Sequence, residues 1–243
     1  IIIYIYRSSE FILHACRWDL DAIGKLPDFM KIVFKLLWDF VQDIEREVRL
    51  EGRSYSAHGM LHEYKRLARA NLASTKWERA AIVPTFEEYL KVGKVGFGAE
   101  AALACGFIFL GQIAGKEAYE WLRSRPNLTQ SVASKGRFLN DITGFQDDMS
   151  RGYVATGINV YMKQYGVTEE KAFREFRKMI RFADKIANEE FLNTTVVPRQ
   201  ILMQVINFER GFNASYFQGE GITNCTPKMK ENITSLFVDL ISL

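Results

Sequence analysis

The sequence has few cysteines and little net charge, and each scarcity excludes a class of protein. Its 243 residues hold three cysteines, Cys16, Cys105 and Cys225, an odd number at wide separation. This arrangement excludes a disulfide-stapled scaffold and predicts buried free thiols in a reducing compartment. The net charge of +3 lacks the basic excess of proteins that neutralise many nucleic-acid phosphates, so we expect no nucleic-acid partner.

The apolar residues at the start of the sequence do not predict a membrane anchor. Residues 1–6 are far fewer than the roughly 20 that span a bilayer, and no basic region precedes them as in a secretory signal. We therefore expect no membrane span and a cytoplasmic location. A plastid location stays open as the alternative if a transit peptide has been lost.

Proline is scarce too, with five residues in the chain, and their positions indicate helix starts. Each is followed by residues with helical periodicity, as expected where proline occupies the first turn of a helix. Strand-type alternation is nearly absent. The helix-like stretches cover 27–52, 55–81, 84–110, 126–165, 168–191, 198–217 and 227–241. We predict an all-α protein, with residues 1–243 forming one domain of eight to ten helices.

Three glycines interrupt the third of these stretches. Gly93, Gly96 and Gly98 precede the apolar residues 99–110. Glycine lacks a Cβ atom and destabilises a helix interior, so we predict a break inside a buried helix at this point.

The most informative polar pattern lies in residues 137–148. On a helix, Asn140, Gly144 and Asp148 fall on one stripe about two turns long, with Arg137 about one turn before it. Amide and carboxylate oxygens suit a hard cation, Gly144 leaves room for a water, and Arg137 is placed to contact phosphate oxygens. Acidic residues on a helix are more often a solvated face, so spacing alone leaves both interpretations open.

The same segment resembles the second metal-binding motif of plant class I terpene synthases. Asn140, Gly144 and Asp148 fall at its three ligand positions, with Asp148 where glutamate is more usual. The resemblance extends over nearly the whole chain at family-like spacing. Further matching segments are 17–19, 26–31, 84–90, 151–158 and 161–167.

The resemblance implies a class I terpenoid synthase helical bundle around a central apolar pocket. The implied activity is ionisation of a prenyl diphosphate with three magnesium ions, manganese being an alternative metal. Asn140 and Asp148 would hold one magnesium ion, with a water at Gly144, and Arg137 would contact the diphosphate. The implied substrate is farnesyl diphosphate, and monoterpene or diterpene synthase activity is the nearest alternative. We expect a monomer.

The resemblance also implies a substrate pocket made by two further regions. Gly96, Phe97 and Gly98 match the family's kinked helix, whose freed carbonyls face the carbocation, although a break that only eases packing is an equal interpretation. Residues 216–223 resemble the lid loop, with Glu220 in place of the family's aspartate and isoleucine in place of its tyrosine. Tyr216 and Phe145 then become the aromatic candidates, and ordinary core positions are an equal interpretation for both.

One part of the family pattern is unmatched. The first acidic motif should precede Trp18 by about five helical turns, yet no aspartate occurs before Asp19, and the family's amino-terminal helical domain has no counterpart. A shortened chain, a sequence from which residues are missing and a true loss of the motif all stay open, the second being favoured. The alternative from another class is a catalytically silent helical binding protein. A zinc site at His58 and His62 lacks the glutamate of the HExxH pattern.

Overall fold

A computed structural model describes residues 23–24, 26–216, 219–221 and 225–239. These residues contain no β-strand and eleven α-helices, more than the eight to ten predicted. Gly98, Gly144 and residues 151–156 divide stretches that the sequence pattern merges, and a further short helix covers Lys116–Arg123. The all-α prediction is confirmed. The helices are α1 (Asp28–Leu50), α2 (Ser54–Arg79), α3 (Phe86–Gly96), α4 (Ala99–Phe109), α5 (Lys116–Arg123), α6 (Asn127–Thr143), α7 (Phe145–Ser150), α8 (Gly157–Tyr165), α9 (Glu169–Asn193), α10 (Arg199–Ser215) and α11 (Pro227–Phe237).

The prolines stand at helix starts, as predicted. Helices α1, α6 and α10 begin directly after Pro27, Pro126 and Pro198, and Pro227 is the first residue of α11. Helix α3 begins two residues after its proline with a capping box. In that box the side chain of Thr85 accepts a hydrogen bond from the Glu88 amide, and the Glu88 carboxylate accepts one from the Thr85 amide.

The predicted break in the glycine-rich helix is confirmed at Gly98. Helix α3 ends at Gly96 and α4 begins at Ala99, and Gly98 between them has a φ of +85°. This left-handed conformation is open to glycine and strained for residues with a Cβ atom. The helix is therefore interrupted at Gly98.

The stretch 126–165 is not the single segment that the sequence pattern suggested. Helices α6 and α7 are separated by Gly144 alone, but the non-helical residues 151–156 divide α7 from α8. Gly152 in this segment has a φ of +75°, and the Thr156 side chain accepts a hydrogen bond from the Asn159 amide and caps α8. A positive-φ glycine and a new N-cap are sufficient physical reasons for the interruption.

Helix α6 lies at the centre of the described helices. It packs along α9 and also contacts α3, α4, α8 and α10. Two ion clusters with largely buried members reinforce this arrangement. Lys135 of α6 pairs with Asp184 of α9 at 2.5 Å and with Glu209 of α10 at 2.8 Å, and buried Glu63 of α2 pairs with Arg125 at 2.8 Å.

The prediction of buried thiols is wrong for the described cysteines. Cys105 is half-buried and Cys225 is exposed, because Cys225 lies in the segment between α10 and α11 rather than in an apolar helix face. Cys16 lies outside the described residues. Both described cysteines are free thiols.

Among the described residues, Phe86–Phe109 is the stretch that meets the length and composition required to cross a membrane. It spans α3, the Gly98 break and α4. The stretch contains the buried Glu100, whose carboxylate accepts a hydrogen bond from Gln130 of α6 at 2.8 Å. The stretch packs against α2, α6 and α8.

Candidate active site

The predicted stripe of Asn140, Gly144 and Asp148 forms one continuous ridge. The Gly144 amide donates to the Asn140 carbonyl at 2.8 Å, and the Asp148 amide donates to the Gly144 carbonyl at 2.9 Å. The helical hydrogen-bond pattern therefore continues from α6 into α7. A Cβ atom at Gly144 would stand 3.0 Å from the Asn140 carbonyl and 3.7 Å from Asp148 Oδ2, so a larger residue would narrow the space beside the carboxylate.

The ridge borders a cavity of about 680 Å³. The cavity lies between α2, α3, α6, α7 and the segment 151–156. Its lining residues are Asn71, Ser74, Thr75, Glu78, Arg79, Tyr89, Gly93, Gly96, Arg137, Asn140, Asp141, Asp148, Arg151, Gly152, Tyr153, Ala155 and Thr156. A volume of this size accommodates a small-molecule ligand.

A second, smaller hollow of about 110 Å³ also borders the ridge. It is lined by Asn140, Gly144, Asp147, Asp148, Arg151 and Glu220. The resemblance to a lid loop made Glu220 a candidate substrate-binding residue, and in the structure it lines the same hollow as Asn140 and Asp148.

Behind the ridge, Arg137, Asp141 and Tyr89 form a buried polar network. Arg137 Nη2 donates to Asp141 Oδ1 at 2.8 Å, and the Tyr89 hydroxyl donates to the same oxygen at 2.5 Å. Arg137 Nη2 also donates to Asn140 Oδ1. Asp141 is 1% exposed, so its charge is stabilised by protein groups instead of water.

Burial shifts the pKa values of the ionisable groups in this region. It raises the pKa of Asp148 to about 6, although the Arg137 guanidinium acts in the opposite direction. Burial also raises the pKa of Asp141, with Arg137 and Tyr89 partly offsetting the shift. It raises the pKa of Tyr216 to about 12, opposed by the nearby Asn140 and Arg137. A bound cation would favour the ionised form of each carboxyl group.

The ridge has the donor set of a partial magnesium site. Asn140 supplies an amide oxygen, and Asp148 and Glu220 supply carboxylate oxygens around the smaller hollow. Within the described part of the chain, no three His, Cys, Asp or Glu residues are grouped closely enough to hold a metal alone. Magnesium usually keeps several waters and binds through one or two carboxylates and substrate phosphates, so the residues present fit one such ion.

A clamp fixes the segment that closes one side of the cavity. The two carboxylate oxygens of Glu78, near the end of α2, accept hydrogen bonds from the backbone amides of Val154 and Ala155 at 3.0 and 2.8 Å. These bonds hold residues 151–156, including Tyr153, against the cavity. The segment and α2 therefore form one wall.

Comparison with known proteins identifies the family of this chain. The profile described as "Terpene synthase family, metal binding domain" matches residues 8–186, which include the whole ridge. The chain belongs to the terpene synthase family. (Z)-gamma-bisabolene synthase 1 from Arabidopsis thaliana is 47% identical over 240 residues. Inactive terpenoid synthase 20, chloroplastic, from the same plant is 44% identical over 227 residues.

The fold is that of solved terpene synthases. The crystal structure of isoprene synthase from grey poplar (Populus x canescens) in complex with three Mg²⁺ ions and dimethylallyl-S-thiolodiphosphate superposes with a TM-score of 0.86 at 23% identity. It covers 100% of this chain and 48% of that protein. The chain covers 43% of the bisabolene synthase and 39% of the inactive synthase, less than half the length of these relatives.

Two of the predicted pocket residues, Phe97 and Phe145, line neither cavity. Phe145 packs edge-on against Phe173 in the core, at 5.5 Å between ring centroids, and lines neither cavity. Phe97 packs edge-on against Phe212 at 5.3 Å, over Gly136, where a Cβ atom would stand 2.1 Å from the Phe97 ring. Phe145 is buried and Phe97 is half-buried, and both rings pack against core residues.

The remaining predicted pocket residues lie near the ridge. Gly96 lines the large cavity, and Gly98 supplies the break beside it. Tyr216 is buried and packs edge-on against Phe212. It lies close enough to Asn140 for this amide to lower the pKa of the Tyr216 hydroxyl, against the larger effect of burial. Among the described residues, the rings that line the large cavity are Tyr89 and Tyr153 instead of the expected phenylalanines.

Sequence reasoning missed Tyr89, Asp141 and Glu78. Asp141 follows Arg137 by four residues, a spacing at which opposite charges pair on a helix, so this part of the network had a local signal. Tyr89 and Glu78 act across distances of 52 and 76 or more residues in the chain. No local pattern predicts such contacts.

Proposed function

We propose that this chain is the metal-binding catalytic part of a terpene synthase that ionises a prenyl diphosphate, with farnesyl diphosphate as substrate. The observation that carries the proposal is the ridge of Asn140, Gly144 and Asp148 beside the Arg137 guanidinium, at the edge of a cavity of about 680 Å³. Membership of the family supports the reaction class. The 47% identity to a bisabolene synthase supports a fifteen-carbon substrate.

The chain's own residues have separate tasks in this proposal. Asn140 and Asp148, with Glu220 near them, would hold magnesium, which when bound neutralises charge on the departing diphosphate. Arg137 would donate to diphosphate oxygens, since a guanidinium fork matches phosphate geometry. Burial makes its charge more effective than an exposed arginine's, because less water screens it.

The large cavity would bind the hydrocarbon part of the substrate. The backbone of Gly93 and Gly96 and the rings of Tyr89 and Tyr153 line it. Aromatic faces stabilise a cation through their quadrupoles. The Glu78 clamp would keep the segment 151–156 closed over the reacting chain and so exclude water.

A chimera tests the proposal directly. Residues 26–243 of this chain would replace the aligned region of (Z)-gamma-bisabolene synthase 1, which supplies its own upstream residues. With farnesyl diphosphate and Mg²⁺, we expect volatile fifteen-carbon products by gas chromatography–mass spectrometry, and none after chelation or in an Asp148→Asn chimera. Geranyl and geranylgeranyl diphosphates test the ten- and twenty-carbon alternatives. A folded chimera that forms no product with any of the three would contradict the proposal.

A catalytically silent binding protein is the second candidate. Within the described residues a single acidic ridge faces the cavity, and one relative at 44% identity is named inactive. Product from the chimera but not from the 243-residue chain would show that the ridge is competent and that the chain alone is silent. Monomeric state and cytoplasmic location stay predictions from the sequence.

A further inference from the structure

Arg137 is held in place by Asn140 and Asp141, and Tyr89 in turn holds Asp141. Its Nη2 atom contacts Asp141 Oδ1 at 2.8 Å and also donates to Asn140 Oδ1. The Tyr89 hydroxyl donates to the same Asp141 oxygen at 2.5 Å. One carboxylate oxygen thus joins α3 to α6 and receives two donors.

The backbone packs closely around this network at two glycines. A Cβ atom at Gly157, the first residue of α8, would stand 2.3 Å from Asp141 Oδ2 and 2.8 Å from Tyr89 Cε1. A Cβ atom at Gly93 of α3 would stand 3.1 Å from Arg137 Cδ. Two glycines on two helices therefore permit the close approach of the three side chains.

Arg137 keeps donor capacity that the protein does not use. Its Nε atom is buried and makes no hydrogen bond within the described part of the chain. Buried donors without a partner are uncommon, so the described protein groups leave this nitrogen without an acceptor beside the cavity that Arg137 lines. The same side chain contacts Asn140, so its orientation also affects the amide oxygen of the ridge.

From these contacts we infer that Asp141 and Tyr89 are positioning residues that orient the Arg137 guanidinium toward a bound diphosphate. The inference rests on the proposed function and extends it to two further residues. The Tyr89 hydroxyl and Asp141 Oδ1 would act through Arg137 and need not touch the substrate. Asp141 fixes one edge of the guanidinium, and Tyr89 fixes Asp141. The guanidinium is then held beside the cavity, so anion binding avoids the entropy cost of ordering a mobile side chain.

The Tyr89→Phe variant tests the inference with the smallest change. It removes one hydroxyl and keeps the ring, so the fold should persist. We expect the affinity for inorganic pyrophosphate in the presence of Mg²⁺, measured by titration calorimetry on the 243-residue chain, to fall by about tenfold. The matched control is Tyr119→Phe, which removes another buried hydroxyl whose bond goes to the Ala104 carbonyl and which lines neither cavity.

A double-mutant cycle separates positioning from general stability. If Tyr89 acts through Arg137, Tyr89→Phe should cause little further loss in an Arg137→Lys background, because the guanidinium fork is already absent. A purely structural role would lower the melting temperature of both tyrosine variants alike and leave pyrophosphate affinity unchanged. Full additivity in the cycle would overturn the inference.

A measurement without ligand keeps the test independent of the proposed function. Nitrogen-15 NMR of the Arg137 side chain, assigned by its loss in Arg137→Lys, should show one sharp Nε signal that broadens in Tyr89→Phe and Asp141→Asn but not in Tyr119→Phe. An unchanged signal in both network variants would overturn the positioning role. A wild-type chain with this sharp signal, together with a folded chimera that forms no product, would overturn the proposed function and keep the positioning of Arg137.

Discussion

At the scale of single residues, the site depends on oxygen atoms that burial keeps out of water. Asp148 lies on a ridge whose spacing could be predicted from the sequence, since a helix places every fourth residue on one stripe. The environment of that carboxyl group could not be predicted, because the cavity beside it is also lined by α2, α3 and the segment 151–156. The same holds for Tyr89, which reaches Asp141 from another helix.

The Asp148→Asn variant should separate stability from metal binding. Burial raises the pKa of Asp148 to about 6, so the unliganded protein gains nothing from an ionised carboxylate there. We expect an unchanged or higher melting temperature without metal, and loss of the increase that Mg²⁺ and pyrophosphate cause in the wild type. Thermal unfolding with and without these ligands measures both.

The control for Asp148→Asn is Asp43→Asn on α1. Asp43 is an exposed carboxylate paired with Arg46, far from the ridge in the chain. This variant should keep the full ligand-induced increase. A full increase in Asp148→Asn as well would exclude the carboxylate from the metal site.

At the scale of elements, helix starts were predictable and helix interruptions were only partly so. Proline and capping residues act within a few positions, so the starts after Pro27, Pro126 and Pro198 follow from local sequence. The break at Gly98 also had a local signal. The interruption at 151–156 was missed because the apolar pattern continues on both sides of it, although Gly152 and Thr156 carry turn and cap signals.

Gly98→Ala should destabilise the fold by about 1–2 kcal/mol, since alanine is strained in the left-handed region. Chemical denaturation measures the free energy of unfolding. The control is Gly211→Ala in the interior of α10, where a Cβ atom meets nothing within 4 Å and alanine favours the helix. An unaffected Gly98→Ala protein would argue against a strained break between α3 and α4.

The capping box of α3 predicts a pH dependence of stability. Hydrogen bonds from Thr85 lower the pKa of Glu88 below its ordinary value of 4.5. The ionised form is therefore favoured by folding, and its contribution is present at neutral pH and lost as the pH falls through the folded-state pKa. Glu88→Gln should lower the melting temperature at pH 7 and have little effect near pH 3. Glu87→Gln, in the same turn but outside the box, is the control, and an equal pH-dependent loss there would contradict the assignment.

The Glu78 clamp predicts a local change in dynamics. In Glu78→Ala, the amides of Val154 and Ala155 lose their acceptors, so their hydrogen exchange should accelerate while exchange in α6 stays unchanged. Hydrogen-exchange mass spectrometry of the peptide that contains 151–156 measures the effect. Lys76→Ala, an exposed neighbour on α2, is the control. Equal exchange in wild type and Glu78→Ala would show that other contacts hold the segment.

At the scale of the whole molecule, the helical arrangement brings a polar ridge to the edge of one large cavity. The all-α class, most helix starts and the ridge could be predicted from the sequence, because they depend on local periodicity and family-like motifs. The cavity lining could not, because Phe97 and Phe145 are as apolar as any pocket residue and only packing decides which way they face. The chain spans less than half the length of these two relatives, so the complete activity is tested with the chimera.

Diffraction from crystals soaked with Mn²⁺ and pyrophosphate tests the metal ridge most directly. Manganese prefers the same oxygen ligands as magnesium and gives an anomalous signal. We predict an anomalous peak within about 2.0–2.4 Å of oxygen atoms of Asn140 and Asp148, with pyrophosphate between the metal and Arg137. A structure in which pyrophosphate and manganese bind elsewhere, while Asn140 stays paired with Arg137, would contradict the account.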